Sequence, residues 1–149
     1  LASMLRSNQA AARCLMAHGV HAMTDVTGFG LLGHPGEMLK TSDVRVTLHV
    51  GALPLIDGAV DTINDGIVSS LHPANLSNAP ALDAPEDVVG LAGFQLLFDP
   101  QTAGGMLAAV PSENAGACLR ALRECGDGEA AIIGEVGPQS GQATKLIIR

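Results

Sequence analysis

Thr24-Asp25-Val26-Thr27-Gly28-Phe29-Gly30-Leu31-Leu32-Gly33-His34 ends one apolar stretch and begins another. His21 to Val26 is strand-like, so Asp25 holds its carboxylate at a strand end. Thr27 and the glycines Gly28, Gly30 and Gly33 suit a tight turn, and Leu31 and Leu32 continue as a helix would. A strand–turn–helix junction presents backbone N–H groups and a helix N-terminus, both of which attract phosphate. A carboxylate at the same place repels phosphate unless a hard cation lies between them, and Mg²⁺ takes oxygen ligands. These residues therefore read as a metal–phosphate junction.

Two other readings compete for the same letters. Gly28-Phe29-Gly30-Leu31-Leu32-Gly33 is a literal G-x-G-x-x-G, the dinucleotide fingerprint. That fingerprint needs an acidic residue at the end of the following strand, about twenty residues on. Here the next strand, Val44 to Val50, runs into Gly51, Ala52 and Leu53. Asp25 would also face the pyrophosphate with its charge unopposed, which argues against a Rossmann site. The plainer reading makes Asp25 a turn cap, with Gly28 and Gly30 present for positive φ angles. From the residues alone, that is the more economical account.

A second motif, Asp99-Pro100-Gln101-Thr102-Ala103-Gly104-Gly105, precedes the strand-like Met106 to Val110. In this order the two motifs resemble the selenophosphate synthetase (selenide, water dikinase) family, within the aminoimidazole ribonucleotide synthetase superfamily. The family usually carries serine where this chain has Ala103. The resemblance covers nearly all of the chain, but only the C-terminal domain of the family. It implies an α/β layered domain with about four or five strands in a mixed sheet packed by helices. It also implies a parent enzyme that converts ATP, selenide and water to selenophosphate, AMP and phosphate with Mg²⁺. The reactive Cys or selenocysteine, its lysine and the other metal carboxylates would belong to an N-terminal ATP-binding domain, and the whole enzyme would be a homodimer. On this chain the resemblance assigns the Mg²⁺-binding aspartate to Asp25 and no catalytic residue. Thr27, Gly28 and Gly30 would shape the turn, with phosphate contact as a lesser role. Thr102, Gly104 and Gly105 would bring a second loop near the cleft, or simply turn the chain into Met106. Rival readings are another ATP-dependent enzyme of the superfamily, acting on a purine precursor or thiamine phosphate, and a non-catalytic regulatory or dimerisation module. The phrase Thr27-Gly28-Phe29-Gly30 argues against the first, whose equivalent turns read differently.

Composition bounds the rest. At 149 residues the chain is one domain, large enough for a proper core. Hydrophobic residues make up 47%, yet only three are Phe and none is Trp or Tyr, so aliphatic side chains must build that core. A net charge of −7, with eight scattered Lys and Arg, argues against a nucleic-acid surface, which needs clustered cations. No apolar run approaches the roughly 20 residues of a membrane span, and no signal-peptide pattern is visible. Leu1 stands where an initiator methionine would, so the chain reads as a fragment of a longer polypeptide. Three cysteines, Cys14, Cys118 and Cys125, without C-x-x-C, read as cytoplasmic free thiols. Cys118 and Cys125 share a helix face and read as buried hydrophobes. His18 and His21 form H-x-x-H across a helix end and a strand start, and without a Cys or carboxylate at zinc spacing they do not read as a zinc site.

Periodicity sets the remaining elements. Met4, Ala11 and Leu15 recur at helical spacing, stopped by Gly19. Leu31, Leu32, Met38 and Leu39 extend the helix after Gly30. An interior proline costs about 3 kcal/mol outside the first turn, so Pro35 predicts a kink or restart near His34. Val44 to Val50 alternates as a strand. Asp57 to Asn64 reads as a short helix stopped near Gly66, and Gly66 to Pro85, with its prolines, as an irregular loop. Glu86 to Ala92 reads as a short helix. Ser112 to Cys125 reads as an amphipathic helix with Ser112 as N-cap and Gly126 as stop. Ala130 to Val136 and Lys145 to Arg149 read as closing strands.

Overall fold

In a computed structural model that describes residues 3–139 and 144–149, the α/β layering expected from the sequence is present. In chain order the elements are α1 (Gln9–Ala17), β1 (Ala22–Asp25), α2 (Gly30–Leu39), β2 (Val44–Leu48), α3 (Ala59–Asn64), α4 (His72–Ser77) and β3 (Leu82–Asp83). There follow α5 (Glu86–Val89), α6 (Ala92–Leu96), β4 (Met106–Ala109), α7 (Ser112–Glu124), β5 (Gly134–Pro138) and β6 (Leu146–Ile148).

The alternating strand β2 lies inside a mixed sheet ordered β3-β6-β2-β5. It runs antiparallel to β5, with Val46 opposite Val136, and parallel to β6, with Leu48 opposite Ile148. Strands β1 and β4 form a separate antiparallel pair that sets Asp25 opposite Met106. The expected strands thus divide between two sheets.

Helix α2 places Leu32 and Leu39 in a core with Leu48, Phe94, Leu97, Phe98, Leu146 and Ile148. Full burial of each such side chain contributes about 1.5–3 kcal/mol. The helix runs unbroken through Pro35, so the restart expected near His34 is not seen. Proline removes one backbone hydrogen bond, but Leu32 and Leu39 anchor the helix on either side of it. Its C-terminal end is closed by Lys145, whose Nζ donates to Leu39 O at 3.2 Å and Ser42 O at 2.6 Å. A second layer packs α1 on α7 through buried Ala11, Cys14, Leu15 and Cys118.

Several boundaries differ from expectation. Gly66 to Pro85 is not an irregular loop throughout, because it contains α4 and β3. Pro73 sits in the first turn of α4, where a missing N–H costs nothing, so it opens a helix here. The first α-helix begins only at Gln9. Helix α6 was not expected, and Ser112 is the first residue of α7 with no side-chain cap bond, Pro111 preceding it. Gly19, Gly66 and Gly126 do take positive φ of 76°, 74° and 103° at the ends of their helices. Cys125 is exposed, which corrects its reading as a buried hydrophobe; Cys118 is buried as expected. Burial first, and then the neighbouring thiols of Cys118 and Cys125, push the Cys14 thiol above its usual range.

Candidate functional site

Pairing of β1 with β4 brings the two glycine motifs together, because each follows or precedes one of these strands. Backbone bonds then lace them. Val26 N–H donates to Gly105 O at 3.0 Å, Gly104 N–H to Val26 O at 3.1 Å, and Gln101 N–H to Thr27 O at 3.1 Å. Gly104 is needed for this approach, since a Cβ there would meet the Val26 carbonyl oxygen. From the loop side, Gln101 Nε2 donates to Asp99 Oδ2 at 3.1 Å and steadies the second motif.

Asp25 ends β1 with its side chain exposed. Among the described residues its carboxylate makes no hydrogen bond or ion pair; only its carbonyl is engaged, accepting from Thr24 Oγ1 at 3.1 Å. The turn is instead held by His34, whose Nε2 accepts the Thr27 N–H at 3.0 Å. That bond makes Nδ1 the protonated nitrogen of the neutral ring. Sequence reasoning missed His34, although the residue closes the opening motif. Its spacing from Thr27 reaches back across the first turns of α2, which is the signal that was available.

The two glycines of the turn differ. Gly30 has φ of 67°, and a Cβ there would stand 2.8 Å from Phe98 C and 2.9 Å from Leu97 O. Gly28 lies outside the left-handed region and faces open space. The positive-φ account of this turn therefore holds for Gly30 and not for Gly28. Amide use differs as well. Thr27 N–H is taken by His34, and Gly30 N–H donates to Thr27 O at 3.0 Å. Among the described residues, the N–H groups of Gly28 and Phe29 have no hydrogen-bond partner.

Beside these amides lies an open pocket of about 400 Å³, lined by Thr27, Gly28, Ser69, Ser70, Leu71, Pro100, Gln101 and Thr102. Both motifs contribute to it, together with Ser69 to Leu71, which sequence reasoning did not single out. Asn75 of α4 holds the assembly from below, its Nδ2 donating to Gly28 O and Phe98 O at 2.9 Å each. Asn75→Ala is expected to destabilise the chain by about 1–3 kcal/mol, the usual cost of stranding partly buried polar groups. A thermal melt checks this. A change of only a few tenths would mean that water serves both carbonyls as well as the amide does.

A sequence profile described as "AIR synthase related protein, C-terminal domain" matches residues 1–147. The chain belongs to that family. Named relatives agree with this. The chain is 37% identical over 140 residues to "Selenide, water dikinase" of Clostridioides difficile (strain 630), covering 91% of this chain and 39% of that protein. It is 37% identical over 150 residues to the protein of the same name from Desulfitobacterium hafniense (strain Y51), covering 100% and 42%. A third, from Rhizobium meliloti (strain 1021), is 37% identical over 124 residues, covering 83% and 35%. The chain thus spans about two-fifths of the length of these relatives, which have further sequence outside the matched domain.

Proposed function

We propose that this chain is the C-terminal domain of an ATP-dependent selenide, water dikinase that makes selenophosphate, AMP and phosphate. The observation that carries the reading is the exposed Asp25 carboxylate without a partner among the described residues, just ahead of the unbonded amides of Gly28 and Phe29. A capping aspartate would have its carboxylate engaged in the turn. This one is left available to a cation, and the two amides to anionic oxygens. The names of the relatives supply the substrate class. The family profile alone would also accommodate another ATP-dependent enzyme of the superfamily, and the dikinase names favour selenide over a purine or thiamine substrate.

The residues fit one share of a Mg²⁺ site. Asp25 would supply one oxygen ligand, and the remaining ligands would come from the N-terminal domain. Bound there, Mg²⁺ neutralises phosphate charge during phosphoryl transfer. Asp25 then fixes the edge of the cleft nearest β1, while Gly28 N–H and the Thr27 hydroxyl orient phosphate oxygens. Gly30 shapes the turn, since its own amide is already bonded.

The partners are the protein's own N-terminal domain and, in the whole enzyme, a second copy. Two exposed apolar side chains, Leu71 in the pocket lining and Phe29 next to Gly28 in the chain, support a covered face there. The charge of −7 supports no nucleic-acid partner, and among the described residues no helix is long and apolar enough to cross a membrane. Three free thiols suit the reducing cytoplasm.

The 149-residue chain alone is expected to be catalytically silent, because one carboxylate does not hold Mg²⁺·ATP against hydration. An ATP-to-AMP assay of the purified chain tests this. Turnover that depends on Asp25 would overturn the division of labour proposed here.

A further inference from the structure

Away from the turn, helices α1 and α7 bring together a set of side chains that the proposed reaction does not use. Cys14 lies on α1 and His18 caps its C-terminal end, four residues on and therefore on the same face. Cys118 faces them from α7, buried at 2% exposure. The Cys14 and Cys118 sulfurs and a ring nitrogen of His18 all lie within 4.8 Å of one another. Cys125, exposed just past the end of α7, lies outside this group.

We propose that Cys14, His18 and Cys118 form a binding site for one thiophilic cation of the Zn²⁺ class, with water in the fourth position. The distances suit it. Cys14 Sγ stands 3.8 Å from His18 Nδ1. Bonds of about 2.3 Å to sulfur and 2.0 Å to nitrogen in a tetrahedron give a sulfur–nitrogen edge near 3.5 Å, so this pair needs to close by only a few tenths of an ångström. The three ligands come from two helices that already pack on each other, so most of the ordering cost is met by the fold.

The surrounding bonds hold the ligands in place. His18 Nδ1 lies 2.8 Å from Cys14 O, which aims the ring back along α1. His18 O accepts from Asn114 Nδ2 of α7 at 3.1 Å, tying the two helices at the same level. On binding, each coordinating thiol releases its proton to solvent, and if Nδ1 is the ligand it exchanges its carbonyl contact for the metal. The ion would clamp α1 to α7. Ahead of α1, Asn8 donates to Gly104 O at 2.9 Å, so the clamped helix also steadies the second glycine motif. The expectation that no cysteine stands at metal spacing from His18 is corrected here: Cys14 does. His21, exposed just before β1, takes no part.

The test is titration of the reduced 149-residue chain with Zn²⁺ against a chromophoric chelator, followed by Co²⁺ substitution. The expected result is one equivalent per chain, with thiolate-to-cobalt charge transfer and the visible bands of a tetrahedral site. Cys14→Ser and Cys118→Ser should each weaken binding at least as much as the ~10–100-fold typical of lesser outer-shell changes. His18→Ala, at a half-buried position that the core does not need, keeps the test informative if a buried cysteine variant fails to fold. Binding unchanged in these variants would overturn the proposal. So would the absence of stoichiometric Zn²⁺ uptake, or thiol mapping that finds a stable Cys14–Cys118 disulfide under the same reductant.

Discussion

Asp25→Asn in the full-length enzyme is expected to leave the fold intact and remove most of the activity. The carboxylate is exposed and makes no hydrogen bond among the described residues, so the nearly isosteric amide should change stability by about 0.5 kcal/mol or less. The amide cannot supply the negative charge that a shared Mg²⁺ needs beside polyphosphate. A misplaced cation no longer offsets charge as the phosphoryl group moves. A loss of roughly 100-fold or more is expected, on the scale of removing one electrostatic stabiliser, with excess Mg²⁺ giving partial rescue at best. AMP formation measured against Mg²⁺ concentration, beside a melting curve, decides it. If activity survives within a few-fold while the melting temperature falls sharply, Asp25 is a turn residue and the metal assignment is wrong.

What the sequence revealed and what it concealed follow from the range of the interactions. Strand β2 was legible because its alternation is local, and the junction from Asp25 to Gly30 because strand, turn and helix follow one another directly. The dinucleotide reading of the same glycines failed on a local requirement too, the missing acidic residue after Val50. By contrast, α4 was hidden because Pro73 reads as a breaker until its place in a first helical turn is known. The Asn75 bridge to Gly28 and Phe98 could not be read at all, since its acceptors are carbonyls of distant residues. Cys14 and His18 show helical ligand spacing on inspection. Cys118 joins them only because α7 packs on α1, and no periodicity within either helix records that packing.

Gly30→Ala is expected to destabilise the chain severely, whereas Gly28→Ala in the same turn should be tolerated. Gly30 holds φ of 67°, a region that costs an L-residue roughly 1–2 kcal/mol. An added Cβ would also stand 2.8 Å from Phe98 C and 2.9 Å from Leu97 O. These are backbone atoms next to two fully buried side chains, so they cannot swing aside as a flexible side chain would. Overpacking of this kind costs a further ~1–3 kcal/mol. Together the terms reach roughly 2–5 kcal/mol, a large part of the 5–15 kcal/mol that typically holds a domain folded. The melting temperature should fall by roughly 4–20 °C. At Gly28 neither cost arises, because its φ is not left-handed and a Cβ meets nothing within 4 Å. Alanine there keeps the backbone N–H and should stay within about 1 kcal/mol of the parent. Paired melting curves of the two variants give the comparison. Equal losses would mean that the turn is rigid at both positions for a reason that neither backbone angle nor neighbouring atoms supply, and the argument from Gly30's contacts would fail.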